Sequence, residues 1–575
     1  MQNYKTTPRI STLALAVAGV MAVQNAQALS FNPTDELVID WDTTLSYGAA
    51  WRTQKQHKDL ISDSNADDGN RNFDKGSMIN NRFSVISEAD FQYRNYGAFF
   101  RGSAFYDDAY YGKNDNDSAD TYNGFGSHNK FSKEVRDAHG SKARILDAFV
   151  YGNFDIADRN LSLRVGQQVV SWGTSLYIPG MSTAQGPADA SKSTIPGVEV
   201  KDIYLPVGQV LAQFDLTDNL AVSAYSQWEW KKTEVNESGS YFSYTDMLDE
   251  GGERLLFPAG TSDAVLQRIN ENFANNEPAP LPPAINSFPA IEMTRGKDVK
   301  AKDSGQWGIA FEYYAENLGN GTDLGLYYMN YHDKTPIVAR TGSFLFDPYP
   351  PFANLPNGDP HPLNNVLVPT GLPTSYHLEY AEDIQLVGTS FSTIIGNTNV
   401  GGEVAYRKDA IVYLDDTLGS PTPHRGSTIQ AQISAIHSFG NTVFADDVMF
   451  TGEIGYNRVL DVDKHYFTGA KGDIKDLSSD RSGAGLAGAV TLKYNNVFSA
   501  TNLEVPISFN KNINGNSGAG TFTSGQNTDK VSVGANFSYK DAWKAGISYT
   551  AYFGNPEDNK YTDRDFVALS LKYSF

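Results

Sequence analysis

The chain has 575 residues, no cysteine and a formal net charge of −21 at pH 7. This acidic balance argues against nucleic acid as a partner, because phosphate backbones bind basic surfaces. The lack of cysteine excludes a disulfide framework. Beyond the amino-terminal segment there is no run of eighteen apolar residues, so the sequence also excludes a helical membrane span.

The amino-terminal segment has the parts of a secretory signal peptide. Basic residues precede an apolar run at 10–23, and a small-x-small motif, Ala-Gln-Ala, follows at 26–28. This order of parts is typical of a segment that is removed after export. We therefore expect residues 1–28 to be a signal peptide and residues 29–575 to be the mature chain.

Apolar and polar residues alternate in many short segments after residue 37. Alternation with a period of two indicates strands with one apolar face and one polar face. The segments come in pairs separated by short stretches rich in Asn, Asp and Gly, which tolerate the backbone of tight hairpins. The eight hairpins predicted in this way span 83–106, 145–170, 207–230, 307–331, 384–407, 429–456, 486–509 and 531–553.

A first strand at 37–51 and a last strand at 565–575 bring the total to eighteen. The sequence thus predicts an all-β fold, a single transmembrane antiparallel β-barrel of about 18 strands (16–20), in the outer membrane of a Gram-negative bacterium. Both chain ends fall on the side of the short turns, which predicts short periplasmic turns and long extracellular loops. The predicted long connections lie near 52–81, 107–142, 171–203, 231–304, 333–379, 408–427, 457–483, 510–529 and 554–564.

The last strand ends on an aromatic residue. It resembles the closing strand of bacterial outer-membrane barrels, in which the terminal aromatic residue is read by the assembly machinery. We therefore predict that Tyr573 and Phe575 form an assembly signal. The expected partners are the barrel assembly machinery, outer-membrane lipid and lipopolysaccharide.

Strand phase divides the side chains into a lipid-facing and a lumen-facing set. Arg101, Arg164, Glu403 and Arg407 share the polar phase of their strands, and so does Glu453. A charge at the lipid midplane costs about 2–4 kcal/mol, so we expect these side chains to face the lumen. They can line a transport path, or they can simply be solvated or paired across strands.

The segment 172–180 begins the loop after the predicted fifth strand. It contains Trp172 and Tyr177 and ends in Pro-Gly. One interpretation is that the segment folds inward, near Arg101 and Arg164, and narrows the lumen. The alternative is that Trp172 belongs to the outer aromatic girdle of the barrel.

Several motifs carry a resemblance that covers essentially the whole mature chain. They are LDAFVYG at 146–152, VVSWGTSLYIPG at 169–180, YLPV at 204–207, YMNYH at 328–332, YAEDI at 380–384 and GEVAYR at 402–407. With them the chain resembles the proteobacterial outer-membrane family of unknown function DUF1302. The resemblance implies a barrel whose gene often lies beside genes for a periplasmic carrier-like protein and an RND-type inner-membrane transporter. It implies no substrate, catalytic residue or cofactor.

The chain lacks the sequence signatures of enzymes that we considered, and we predict no catalysis, no cofactor and no metal site. Acidic stretches at 63–68 and 115–120 lack the full spacing of a calcium loop. The expected function is outer-membrane transport of a small apolar or amphiphilic solute, in cooperation with an RND-type exporter. The alternatives are a general or solute-specific diffusion porin, and a membrane-anchored surface or assembly protein without transport activity.

Overall fold

The computed structural model describes residues 29–257, 291–341, 375–415, 421–465, 474–519 and 529–575. The predicted signal peptide lies outside these residues. In the part of the chain that they cover, no helix is long and apolar enough to cross a membrane.

The described chain consists mainly of strands, which are numbered here in chain order. They are β1 Leu29–Thr34, β2 Leu37–Arg52, β3 Met78–Tyr93, β4 Tyr96–Asp107, β5 Ser141–Ile156, β6 Arg159–Gln168, β7 Val207–Asp215, β8 Leu220–Gln227, β9 Arg254–Phe257, β10 Ile291–Arg295, β11 Trp307–Ala315, β12 Thr322–Tyr331, β13 Ile337–Thr341, β14 Ser375–Glu379, β15 Ile384–Ile395, β16 Thr398–Asp415, β17 Pro421–Ser438, β18 Asp447–His465, β19 Ser482–Phe498, β20 Thr501–Asn514, β21 Asp529–Tyr539, β22 Trp543–Phe553 and β23 Phe566–Ser574.

Eighteen of these strands form a closed antiparallel barrel. They are β2 to β8, β11, β12 and β15 to β23, and each pairs with its neighbour along the chain. The barrel closes where β23 pairs with β2, from Thr44 opposite Ser574 to Arg52 opposite Phe566. Closure leaves no sheet edge in the membrane region, as a membrane-spanning sheet requires. The predicted all-β fold, with eighteen strands in eight hairpins plus a first and a last strand, is confirmed.

Two of the predicted long connections differ from the structure. The predicted connections at 408–427 and 457–483 are wrong in part, because β16, β17 and β18 continue into them. At Asp409, with a positive φ of 60°, the register between β16 and β17 shifts. The alternation then resumes with Val412 and Leu414, which are both buried. A bulge hides such a continuation from a pattern that assumes an unbroken period of two.

Strand β1 was not predicted either. It pairs with β2 from Leu29 opposite Trp41 to Thr34 opposite Leu37. Residues 37–41 of β2 precede Thr44, at which the pairing of β2 with β23 begins. β1 therefore covers a stretch of strand edge that would otherwise be unpaired.

Besides β1, four strands are not part of the barrel wall. β9, β10, β13 and β14 form a small separate sheet, in which β10 pairs antiparallel with β9 and parallel with β14. They belong to the two long connections that follow β8 and β12. The small sheet is therefore part of the extracellular side.

The outer surface of the barrel carries a band of exposed apolar side chains. They include Phe100, Val150, Val165, Leu326, Val387, Val404, Ile433, Ile454, Val533, Ile547 and Leu569. Such a band around a closed sheet needs lipid as its surroundings, because water would expose a large apolar surface. The fold is that of a transmembrane β-barrel.

Neighbouring residues on β22 test this assignment of faces. Ile547 is 49% exposed on the outer surface, whereas Ser548 is half-buried on the lumen side. We expect Ile547→Arg to destabilise the folded barrel by about 2–4 kcal/mol, because it places a charge in lipid. Ser548→Arg should change the free energy of unfolding by less than about 1 kcal/mol. Urea unfolding in lipid vesicles measures both, and equal losses would contradict the assignment.

Candidate functional site in the barrel lumen

The loop between β6 and β7, residues 169–206, leaves its own wall and enters the lumen; we refer to it as the inward loop. Its first half contacts β16, β17 and β18, and five strands separate β6 from β16 along the wall. Its second half contacts β4, β5 and β23. The inward loop therefore spans the interior of the barrel.

Glu453 on β18 holds the first half of the inward loop. Its carboxylate accepts hydrogen bonds from the peptide N–H groups of Leu176 (3.1 Å), Tyr177 (2.7 Å) and Ile178 (2.6 Å). The hydroxyl groups of Tyr177 and Thr451 are also hydrogen-bonded. Glu453 is only 2% exposed, so the three peptide N–H groups stabilise its carboxylate in place of water.

Glu403 on β16 holds the loop in the same way at two further points. Its two oxygens accept hydrogen bonds from the N–H groups of Thr174 and Met181, both at 2.8 Å. The Arg407 guanidinium donates to the Gly180 carbonyl at 3.1 Å. The strand phase of Glu403 and Arg407 thus brings both side chains to the same loop segment.

Trp172 packs inside the barrel, at the start of the inward loop. Its ring centroid lies 5.0 Å from that of Tyr225 and 5.9 Å from that of Tyr327. Its peptide N–H donates to Gln185 Oε1 at 2.5 Å. Only 8% of Trp172 is exposed, whereas a residue of a lipid-facing girdle would be exposed to a large extent. The girdle alternative is therefore wrong.

Arg101 contacts a different part of the inward loop from the part that the sequence indicated. Its guanidinium pairs with Asp147 at 2.7 Å and donates to the Lys201 carbonyl at 3.2 Å. Arg164 is exposed, and its guanidinium carbon lies 5.9 Å from the centroid of the Phe149 ring. Arg101 thus touches the end of the loop, whereas Glu403 and Glu453 bind its beginning.

A buried cluster of charged groups fixes the middle of the inward loop. Arg144 on β5 pairs with Asp189 at 2.5 Å and with Glu234 at 3.0 Å. Lys192 donates to the Asp202 carbonyl at 3.0 Å. Burial and the nearby Arg144 charge lower the pKa of the Lys192 ammonium group to about 8. The sequence analysis missed Arg144, because it lies one residue before the predicted strand at 145–154 and a register shift between β4 and β5 interrupts the alternation there.

The tip of the inward loop reaches the seam at which the barrel closes. Glu199 pairs with Lys572 of β23 at 2.9 Å. Gly197 has a positive φ of 78°, and a Cβ atom there would lie 3.2 Å from the Ser570 Cβ. This contact leaves little room for a side chain, so glycine suits the position for both reasons.

A cavity of about 230 Å³ remains between the loop tip and the wall formed by β20 to β23. None of the residues that line it is charged, and most of them are small. They include Ser508, Ser532, Gly534, Asn536, Ser548 and Ser570. A second cavity, between the loop and β2 to β4, is lined by charged groups such as Arg82, Glu88 and Lys201. The space beside β20 to β23 therefore differs from it in having no charged lining residue.

An eighteen-stranded barrel with an apolar outer band and a loop folded into its lumen is a porin-like membrane protein. The chain belongs to the family described as protein of unknown function (DUF1302), whose model matches residues 9–575. The resemblance found in the sequence motifs is thereby confirmed. No curated protein matches the chain significantly.

Similar solved structures are bacterial outer-membrane proteins of low sequence identity. OccAB1 of Acinetobacter baumannii is 10% identical, with a TM-score of 0.41, and the match covers 93% of this chain and 96% of that chain. A BenF-like porin from Pseudomonas fluorescens is 8% identical, with a TM-score of 0.39 and coverage of 93% and 98%. OmpF of Salmonella typhi, in complex with daunomycin, is 8% identical, with a TM-score of 0.35 and coverage of 95% and 100%.

Proposed function

We propose that this protein is a solute-specific channel in the outer membrane of a Gram-negative bacterium, and that its solute is small, uncharged and rich in hydrogen-bonding groups. The observation that carries this proposal is the inward loop. It fills part of the lumen, and the cavity that it leaves against β20 to β23 is lined without charged side chains. A surface or assembly protein would not need a loop held at both ends across its interior.

The charges of the lumen support this solute class. Arg101 pairs with Asp147, Arg144 with Asp189, and Glu199 with Lys572. Paired charges of opposite sign produce a weak net field, so they attract neither anions nor cations strongly. The side chains that face the cavity, such as Ser532 and Asn536, offer hydrogen bonds without charge.

The predicted apolar or amphiphilic solute fits this passage only in part. A wall of hydroxyl and amide groups favours a solute that carries polar groups over a pure hydrocarbon. An amphiphilic solute remains compatible with it. Cooperation with an RND-type transporter through a periplasmic carrier rests on the family resemblance alone and stays a prediction.

Reconstituted protein tests the proposal. In liposome-swelling assays, small uncharged polyols are expected to enter at least several-fold faster than anions or cations of equal mass. The purified protein in planar bilayers should show a small conductance with little preference for either ion sign. A silent protein, with neither swelling nor conductance, would favour a surface or assembly role.

One substitution tests whether solutes pass through the cavity beside β20 to β23. Asn536→Asp adds a carboxylate at the cavity, and we expect it to shift the channel towards cation selectivity and to slow the uptake of anions. Asn160→Asp adds the same charge at an exposed position near a periplasmic turn and serves as the control. Reversal potentials in a salt gradient measure the difference. Equal shifts for both variants would place the passage elsewhere.

A further inference from the structure

Three buried carboxylates meet in the extracellular region, outside the lumen. Asp67 and Asp68 belong to the loop after β2, and Asp246 belongs to the connection after β8. Their exposed fractions are 0%, 2% and 0%. One carboxylate oxygen from each residue lies within 4.8 Å of the other two. Residues from two distant parts of the sequence thus bring three like charges together.

A third loop closes around this acidic cluster. The peptide N–H of Asn123, in the loop after β4, donates to Asp68 Oδ2 at 3.0 Å. The N–H of Asp68 donates to Asp246 Oδ2 at 3.2 Å. Three extracellular loops therefore share contacts at one buried point.

The acidic cluster has a deficit of positive charge. Arg71 pairs with Asp67, and no other ion pair to the three carboxylates occurs within the described ranges. Three negative charges and one positive charge leave a net charge of two negative units. An uncompensated buried carboxylate is costly, since desolvation favours its neutral form.

A second observation concerns hydrogen bonds rather than charge. Asp67 Oδ1 and Asp246 Oδ1 are fully buried, and neither has a hydrogen-bond partner among the described residues. Buried acceptors are nearly always satisfied by a donor, a water molecule or an ion. Two carboxylates of the acidic cluster thus each keep one oxygen that is free to bind a ligand.

We propose that Asp67, Asp68 and Asp246 bind a calcium ion that holds the three extracellular loops together. All three residues offer oxygen ligands, which hard divalent cations prefer, and one divalent cation would balance the net charge of the cluster. The sequence analysis predicted no metal site because it compared spacing within single acidic stretches. The acidic cluster joins residues that are far apart in the chain.

Calorimetric titration tests the site on the full-length protein in detergent after treatment with EDTA. The wild type is expected to bind one calcium ion per chain. Asp246→Asn keeps the shape of the side chain, and it should weaken calcium binding at least tenfold. Asp120→Asn removes an exposed carboxylate from the neighbouring loop and should bind like the wild type. Heat-modifiable migration on gels establishes that each variant is folded.

Limited proteolysis gives a second measurement that does not depend on a binding signal. Calcium should slow cleavage of the extracellular loops several-fold in the wild type and in Asp120→Asn, but not in Asp246→Asn. Equal calcium affinity in Asp246→Asn and the wild type would overturn the proposal. So would a wild type that takes up no calcium at millimolar concentration and whose loops are protected by lowering the pH alone, because protons would then neutralise the acidic cluster.

Discussion

Phe575→Ala is expected to reduce the amount of assembled barrel about tenfold, although the strand that it ends can still pair. The peptide N–H of Phe575 donates to the Thr43 carbonyl at 2.9 Å, and the Thr43 N–H donates to the Phe575 carbonyl at 2.7 Å. Alanine keeps both hydrogen bonds and loses only the ring. A loss of stability alone would be small, so a large effect would indicate recognition of the ring during assembly.

The measurement is the amount of heat-modifiable protein in outer-membrane fractions. Phe553→Ala is a matched control, because Phe553 ends the neighbouring strand β22 and is 51% exposed. We expect this control to assemble at nearly wild-type levels. Tyr573 packs on Trp543 at 4.3 Å between ring centroids, so its replacement would combine lost packing with lost recognition. Normal assembly of Phe575→Ala would contradict the predicted assembly signal.

The barrel could be predicted from the sequence because lipid acts on every strand in the same way. A strand that faces lipid on one side and the lumen on the other must alternate, and β2 to β23 largely do so. The exposed outer side chains of Val165, Val404 and Leu569 follow that phase. The last strand was predicted to close the barrel from its alternation and its terminal aromatic residue, and it pairs with β2. The alternation of apolar and polar residues within single strands was therefore enough to predict most of the barrel.

The inward loop could be predicted only as one of two possibilities. The sequence shows that Trp172 follows a strand, but not whether the loop turns inward or outward. The decision depends on partners far away in the chain, such as Glu403 and Glu453, whose carboxylates accept five peptide N–H groups of the loop. Contacts between such distant residues produce no periodic pattern in the sequence. Their only sign in the sequence is a glutamate in the inward phase of a strand.

The beginning of the inward loop and its tip are held by different kinds of contact. At β16 and β18, carboxylates on the wall bind backbone N–H groups of the loop. At the barrel seam, Glu199 of the loop pairs with Lys572 of the wall. Ion pairs with partly exposed partners contribute little to stability, whereas buried charge-assisted hydrogen bonds contribute more. The contacts with Glu403 and Glu453 should therefore determine whether the loop stays in the lumen.

Glu453→Gln is accordingly expected to open the passage. Glutamine has nearly the same shape, but it replaces one acceptor oxygen with an amide N–H that faces the donors Leu176, Tyr177 and Ile178. Each charge-assisted hydrogen bond contributes roughly 1.5–3 kcal/mol, so losing the one or two bonds to the replaced oxygen, and the charge assistance of the rest, weakens the attachment by several kcal/mol. The first half of the inward loop should detach, and single-channel conductance should rise several-fold with increased current noise.

The barrel itself should assemble normally in this variant, because the backbone pairing of β18 with its neighbours does not involve the side chain of Glu453. Glu504→Gln is the matched control: Glu504 lies on β20, is half-exposed, and has its closest ion-pair contact at 3.9 Å, with Lys493. Glu403→Gln should resemble Glu453→Gln, since both residues hold the same loop segment, and the double variant should conduct most. If the conductance of Glu453→Gln equals that of Glu504→Gln while both barrels are fully assembled, then the inward loop does not limit the passage.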